Sequence, residues 1–177
     1  MMAAYPITSG HPKSGCHMLV KAMHLLGWPC YVQHLEHKPD ATGRHVFIKR
    51  DPRNVVLSWV RHFKQPVTTG TVIAAMRNVA NTWKPINESL RLYEGWLTHP
   101  GVLVVSFEQL STDAAQLERI ATYMGGTVPA DAWANLPGDT ATWTGKHSDW
   151  SAVWNSEIDK HWTDIGGPAI LKTWGYQ

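Results

Sequence analysis

Cysteine, charged residues and long apolar runs are all scarce in this sequence, and each scarcity excludes a class of protein. The two cysteines, Cys16 and Cys30, are too few for a disulfide framework or a cysteine-rich zinc site. No apolar run is long enough to span a membrane, and the first residues lack the basic and apolar segments of a secretory signal. These absences predict a reduced, cytoplasmic protein with no membrane span and no resident metal ion.

The charge balance excludes a further class, the nucleic-acid-binding proteins. Sixteen basic and fourteen acidic side chains give a net charge of +2, which is too mild for a nucleic-acid footprint. A net charge of +2 is compatible with a small anionic ligand, which needs only a few positive side chains around it. The chain has 177 residues without repeats or linkers, so one domain is predicted over residues 1–177.

The most informative pattern lies near the start of the chain, where a short strand, a tight loop and a helix follow one another. Residues 5–18 read Y-P-I-T-S-G-H-P-K-S-G-C-H-M. The β-prone residues 7–9 enter a loop rich in glycine and proline, and an apolar-periodic helix is predicted over residues 16–26, with Gly27 as its end signal. Such a junction binds phosphate through the backbone N–H groups and the dipole at the start of the helix.

The side chains of this loop add to its affinity for an anion. Lys13 contributes a positive charge and Ser14 a hydroxyl donor. The order differs from the common nucleotide P-loop, in which a lysine follows the last glycine, because Lys13 comes two residues before Gly15. The alternative interpretation is an ATP-dependent phosphotransferase. An enzyme of that class is also expected to have an acidic magnesium ligand at the end of a strand.

The rest of the sequence alternates between strand and helix signals. Buried strands are predicted at residues 30–35, 45–49 and 102–105. One helix is predicted to begin at Asp51-Pro52, and a second helical pattern covers residues 72–97, with a kink or break at Pro85. Two further helices are predicted, one from a Ser111 cap to Gly125 and one over residues 168–174. This alternation predicts an α/β fold with a parallel sheet and helices on both faces. Ligands of such sheets bind at the carboxyl ends of the strands, where the Lys13 loop is expected.

A second candidate anion site follows the predicted strand at residues 45–49. Arg50 closes that strand, and Ser58 lies two turns into the next helix. Both can contact one anion, Arg50 through its fork of donors and Ser58 through its hydroxyl. The alternative is an ion pair between Arg50 and Asp51 with Ser58 as an ordinary helix residue.

Taken together, these segments resemble the sulfotransferases that use 3′-phosphoadenosine 5′-phosphosulfate (PAPS). P-K-S-G at residues 12–15 is similar to the family's 5′-phosphosulfate loop, and R-D-P-R-N-V at residues 50–55 with the later serine is similar to its 3′-phosphate motif. Three further segments, at residues 102–110, 145–150 and 171–176, resemble the family's later motifs in the same order. The resemblance therefore touches nearly the whole chain.

The resemblance implies a sulfotransferase fold, PAPS as the sulfuryl donor, and 3′-phosphoadenosine 5′-phosphate (PAP) as the product. It assigns the 5′-phosphate to the loop and the helix start, through Lys13, Ser14, Gly15, Cys16 and His17. It assigns the 3′-phosphate to Arg50 and Ser58, assisted by Gly145, Lys146 and His147. Only twenty residues separate Lys13 from His34, a stretch that is much longer in the small-molecule enzymes, so the chain looks like a reduced family core.

The family's general base is a histidine in a Lys-Thr-His type stretch, which corresponds here to Val-Gln-His-Leu at residues 32–35. His34 is thus the candidate base for the acceptor hydroxyl of a small molecule or glycan, and His37 is its rival. Ten tryptophans indicate either core packing or a wall for a ring or sugar. Departures from the family pattern at Met18, Val32 and Phe107 keep open a catalytically degenerate nucleotide-binding module.

Overall fold

The computed structural model of the chain describes residues 6–78, 84–138 and 149–177. The chain forms two compact units. The first comprises Met1–Arg50 and Gly95–Lys146, and the second comprises Asp51–Glu94 and His147–Gln177. Within the described ranges, the helices are too short or too polar to cross a membrane.

The first unit contains a parallel sheet of three strands, β1 (Ile7–Gly10), β2 (His45–Lys49) and β3 (Val102–Ser106), in the order β1-β2-β3. Ile7 pairs with His45, and His45 pairs with Val102. The centre of β2 is fully buried, as expected of a central parallel strand with an apolar run. The parallel α/β sheet predicted from the sequence is confirmed, because helices of this unit pack against its strands.

The described residues of the first unit form the helices α1 (Cys16–Leu25), α5 (Phe107–Thr112), α6 (Ala115–Met124) and α7 (Ala132–Asn135), and a 3-10 turn at Gly95–Leu97. Gly27 follows α1 with a φ of 81°, and two backbone bonds close the helix end, from Gly27 to His24 and from Trp28 to Met23. A side chain would be strained at this φ, so glycine is the natural stop. The predicted start and end of α1 are confirmed to within one residue.

The helices of the second unit are α2 (Pro52–His62), α3 (Thr69–Arg77), α4 (Ile86–Glu94), α8 (Ser156–Asp164) and α9 (Gly167–Trp174). The Asp51 carboxylate accepts from the backbone N–H of Arg53 and caps α2, with Pro52 in the first turn, as the sequence predicts. The break predicted at Pro85 is confirmed, since α3 ends at Arg77 and α4 begins directly after the proline.

Two elements differ from the sequence-based expectation. Residues 30–35 form no strand; this segment runs as coil beside β1, held by Thr8 Oγ1 donating to the Tyr31 carbonyl and by His34 contacting Gly10. Side-chain bonds therefore replace a backbone ladder there. Ser111 does not cap the following helix, because it lies inside α5, and α6 begins after Asp113, whose carboxylate accepts from the Ala115 N–H.

Candidate functional site

The loop between β1 and α1 has an unusual backbone that is set by two residues. Lys13 has a φ of 71° and Gly15 a φ of 102°, both in the left-handed region. The Ser14 N–H donates to the His11 carbonyl at 2.9 Å and closes the turn between them. A non-glycine residue at positive φ is costly and is typical of functional sites. The loop therefore holds Lys13 and Ser14 at the start of α1 in a defined shape.

The start of α1 has the features of an anion site. Gly15 is its N-cap and provides no side-chain hydrogen bond, and the first turn contains no acidic residue. The first N–H groups of a helix have no partner within the helix, and the dipole there favours negative charge. The buried Ser14 hydroxyl also has no hydrogen-bond partner among the described residues. A phosphate at this position would fit the donor set.

Basic side chains surround the loop and influence one another. Partial burial lowers the pKa of the Lys13 ammonium. On the first turn of α1, the pKa of His17 is lowered by partial burial and, to a lesser degree, by the nearby Lys13 and His34. Three basic groups close together repel one another, and a bound anion would relieve that repulsion.

Arg50 lies at the carboxyl end of β2 and contacts the loop. Its Nη1 donates to the Lys13 carbonyl at 3.1 Å, and its guanidinium packs over the Phe107 ring, 4.3 Å from the ring centroid. The Asp51 carboxylate, considered as a partner of Arg50 from the sequence, forms an ion pair with Arg53 at 2.8 Å. A guanidinium carries five N–H donors in a planar fork, a geometry that suits phosphate.

Of the remaining candidates for the 3′-phosphate, one lies among the described residues. Ser58 is a half-buried residue of α2 in the second unit. Gly145, Lys146 and His147 lie outside the described residues. The structure therefore brings Lys13, Arg50 and the start of α1 together.

His34 contacts the loop region through a specific ring nitrogen. Its Nδ1 lies 3.0 Å from the Gly10 carbonyl and 3.6 Å from Cys16 Sγ. Since a carbonyl can only accept, Nδ1 carries the proton, and in this tautomer Nε2 is the basic nitrogen of the ring. Burial raises the pKa of the Cys16 thiol to about 12, so this neighbour is uncharged at neutral pH. The His34 side chain is exposed to solvent.

The rival histidine, His37, lies in a different environment. Its Nε2 is 3.0 Å from His99 Nδ1, and its ring meets Trp96 edge to face at 4.8 Å. Trp96 in turn packs on His45, the first residue of β2, so this cluster belongs to the amino ends of the strands. The Lys13 loop follows the carboxyl end of β1. Of the two candidate bases, His34 is the one that contacts the loop region.

Sequence reasoning missed two residues that shape the site. His11 is fully buried in the loop, its Nδ1 2.7 Å from the Pro12 carbonyl, and burial lowers its pKa to about 3. From the sequence, Phe107 is notable only because it replaces the family's tyrosine. In the structure its ring packs against both Gly15 and the Arg50 guanidinium. The position of His11 between a strand and a turn was an available signal, whereas the contacts of Phe107 are non-local.

Substituting Gly15 tests how tightly this loop is built. A Cβ at Gly15 would collide with the Phe107 ring, and the φ of 102° would be strained as well. We expect G15A to lower the free energy of unfolding by roughly 2–4 kcal/mol, as strain and overpacking add. Urea denaturation measures the change.

Gly43 offers a matched control for that variant. It has nearly the same φ, 99°, but a Cβ added there would meet nothing within 4 Å. G43A therefore isolates the backbone strain, which is of order 1 kcal/mol. Equal losses for G15A and G43A would contradict the close packing of Phe107 on the loop.

The buried histidines predict a loss of stability in acid. Burial, together with the neighbouring His99 and His37, lowers the pKa of His45 from 6.5 to about 4. Between pH 6.5 and 4 the unfolded chain binds a proton at this residue that the folded chain does not, so the free energy of unfolding falls as the pH falls. We expect H45F to reduce the slope of the free energy of unfolding against pH by up to about 1.4 kcal/mol per pH unit between pH 4 and 6.5.

Urea denaturation at a series of pH values checks this expectation. The exposed His24 supplies a control variant, H24F, which makes the same substitution at a surface position. The slope does not depend on the absolute stability of a variant, so a weakened H45F protein remains informative. A slope for H45F equal to that of the wild type would contradict the account.

The comparisons with known proteins identify the fold. No family model matches the sequence, and no curated protein sequence matches it. Solved structures do match. Mouse sulfotransferase SULT7A1 complexed with PAP matches with a TM-score of 0.72 and 12% identity, over 94% of this chain and 83% of that one. Retinol dehydratase in complex with androsterone and inactive cofactor PAP matches with a TM-score of 0.71 and 13% identity, over 94% and 80%. The chain has the sulfotransferase fold.

Proposed function

We propose that this protein is a PAPS-dependent sulfotransferase that transfers a sulfuryl group to an acceptor hydroxyl. The observation that carries the proposal is the basic loop at the start of α1, beside which His34 is oriented by the Gly10 carbonyl. The sulfotransferase fold and the PAP bound to both matched structures support it. We further propose that the two compact units act as one sulfotransferase-like domain in the cytoplasm.

The loop residues serve the 5′ end of the donor in this proposal. PAPS, when bound, supplies a sulfuryl group on a phosphate that becomes the leaving group. Lys13, the Ser14 hydroxyl and the N–H groups of Gly15, Cys16 and His17 bind that phosphate. Preorganised donors of this kind stabilise charge that develops on a leaving group and are a large catalytic factor.

The 3′-phosphate is assigned to a second set of residues. Arg50, whose guanidinium is oriented by Phe107 and the Lys13 carbonyl, provides the charged donor. Ser58 adds a hydroxyl, and Gly145, Lys146 and His147 complete the proposed set. Because Arg50 is bonded to the loop that contains Lys13, a ligand held by Arg50 would also order that loop.

His34 is proposed as the general base. With Nδ1–H donating to Gly10, the lone pair at Nε2 accepts the proton of the acceptor hydroxyl as its oxygen attacks. The fixed tautomer avoids a reorientation of the ring before the reaction. His37 is bonded to His99 at the other ends of the strands and is not assigned this role.

The acceptor is proposed to be a hydroxyl of a small aromatic molecule or a sugar. Radiolabelled PAPS incubated with separate panels of phenols, aliphatic alcohols and oligosaccharides tests the activity directly. Transfer of label to any one class supports the proposal and names the acceptor. Phosphoryl transfer from labelled ATP to the same panels would overturn it. PAPS that binds but is never consumed would identify a catalytically degenerate module.

A further inference from the structure

The first turn of α1 carries side chains of the sign that a helix start does not favour. The N–H groups and the dipole at this end of a helix favour acidic side chains and disfavour basic ones. The first turn of α1 has no acidic residue, and its second residue is His17, with Lys13 in the loop just before the helix. Proteins break such local rules mainly at functional positions. The basic first turn therefore indicates that an anion binds beside it.

The side chain of His17 is exposed, whereas those of its two neighbours are buried. Cys16 and Met18 are 4% and 1% exposed and belong to the hydrophobic core. His17 reaches solvent, and it interacts electrostatically with the nearby Lys13 and His34. The imidazole of His17 thus lies at the surface close to the loop, where a ligand of the loop can contact it.

A buried hydroxyl beside the same helix start points to a ligand independently. Ser14 is fully buried, and its Oγ has no hydrogen-bond partner within residues 6–78, 84–138 and 149–177. It directly precedes Gly15, the N-cap of α1. A buried polar atom without a partner is unfavourable, so a ligand oxygen that accepts from this hydroxyl would gain from it.

We propose that the His17 imidazole takes up a proton when PAP binds and donates a hydrogen bond to the 5′-phosphate as an imidazolium. This inference rests on the proposed function, in which only the backbone N–H of His17 binds that phosphate. In the free protein, partial burial and, to a lesser degree, Lys13 and His34 lower the pKa of His17, so the ring is mainly neutral at pH 7. A phosphate dianion raises that pKa, since an opposite charge favours the protonated ring.

The same donor acts in the proposed reaction. The acceptor oxygen bonds to sulfur while the bond between sulfur and the phosphate oxygen breaks. The electron pair of the broken bond stays on the phosphate oxygen, and the proton of the acceptor passes to His34. The leaving phosphate therefore gains negative charge, which an imidazolium at His17 stabilises together with Lys13. The two histidines have opposite roles, since His34 accepts a proton and His17 presents one.

The titratable groups described around His17 come from the loop, from the coil after α1 and from α1 itself. They are His11, Lys13, His34, Cys16 and Lys21. Burial lowers the pKa of His11 to about 3 and raises the pKa of Cys16 to about 12, both far from neutrality. Histidine is the side chain that ordinarily titrates near pH 7. A proton taken up near pH 7 must therefore be assigned between His17 and His34.

Calorimetric titration with PAP at pH 7, in two buffers of different ionisation enthalpy such as Tris and HEPES, counts the protons taken up on binding. The wild type should take up at least about half a proton more than H17Q. Protons exchanged by the phosphates of PAP largely cancel in this difference. H17Q should also bind PAP about tenfold more weakly at pH 7, because a charge-assisted hydrogen bond is lost; that factor corresponds to about 1.4 kcal/mol.

Two further variants assign the proton to a residue. H24Q changes an exposed histidine in the last turn of the same helix, and it should take up as many protons as the wild type. H34Q should also match the wild type, because the His34 ring is not assigned to a phosphate. Glutamine at position 17 can still donate a neutral hydrogen bond. The comparison of H17Q with the wild type therefore tests the charge of the ring.

Three results would overturn the proposal. One is an equal proton count for the wild type and H17Q, and another is a loss of proton uptake in H34Q alone. Both leave the sulfotransferase proposal intact, because PAP still binds. The third is a wild-type protein that does not bind PAP, which would overturn both proposals together.

Discussion

Replacing His34 with glutamine is expected to lower the rate of sulfuryl transfer about 10²- to 10⁴-fold, the usual contribution of a positioned general base. Glutamine can still donate a side-chain N–H toward the Gly10 carbonyl, which the His34 Nδ1 contacts at 3.0 Å, but it has no basic nitrogen to take the acceptor proton. Affinity for PAP should change less than threefold, because the ring is not assigned to a phosphate. Initial rates with saturating PAPS and acceptor, together with calorimetry for PAP, measure both quantities.

Two other histidines provide controls for this result. H37Q removes the rival base, which is hydrogen-bonded to His99, and H24Q removes an exposed histidine of α1. Both variants should keep at least a third of the wild-type rate. A rate for H34Q within threefold of the wild type would contradict the assignment, and a large loss in H37Q alone would transfer the role to His37.

Removing the Lys13 charge is expected to have the second largest effect. K13A should lower kcat about 10²- to 10³-fold, because the charge that develops on the leaving phosphate loses its principal donor. The α1 start and the Ser14 hydroxyl remain, so the loss should be incomplete. K13R keeps the charge but changes the geometry of the donors, and an intermediate rate is expected. Rates at saturating substrate measure all three proteins.

Lys64 supplies a matched control for the backbone strain in K13A. It is the other non-glycine residue with a positive φ among those described, 53° against 71° for Lys13, and its side chain is exposed. K64A should lose a similar amount of stability and none of the activity. Equal rates for K13A and the wild type would contradict the role of Lys13, and so would equal losses of activity in K13A and K64A.

The parts of the fold that could be predicted from the sequence are those with dense local signals. The strand, loop and helix around Lys13 follow from a β-prone run, a glycine-rich turn and an apolar period, and α1 ends at Gly27 as expected. The start of α2 follows from Asp51 and Pro52, which cap and begin the helix within three residues. Each of these elements depends on contacts between residues close in the chain.

The parts that could not be predicted depend on contacts between distant residues. Residues 30–35 have the composition of a strand but form coil, since side-chain bonds to Thr8 and Gly10 hold them beside β1. The bond from Arg50 to the Lys13 carbonyl spans 37 residues, and no local pattern indicates it. The helix α8 was also missed, although Asn155 caps it, because it is short and has only two buried apolar residues, Ile158 and Trp162.

The separation of His34 from His37 is another non-local result. The two histidines are three residues apart in the sequence, and only the family resemblance favours His34 there. His34 contacts Gly10 at the end of β1, whereas His37 contacts His99, 62 residues away. These tertiary contacts support the proposal of His34 over His37, and the sequence carries no direct signal of them.

The most direct test of the central proposal is calorimetric titration with PAP, ATP and ADP on the wild type and on R50A, with R91A on the exposed surface of α4 as the control. The account predicts that PAP binds at least tenfold more tightly than ATP or ADP. It also predicts that R50A loses at least tenfold of the PAP affinity, as expected for a charged donor to phosphate, while R91A loses none. A preference for ATP, or PAP binding that does not depend on Arg50, would contradict it.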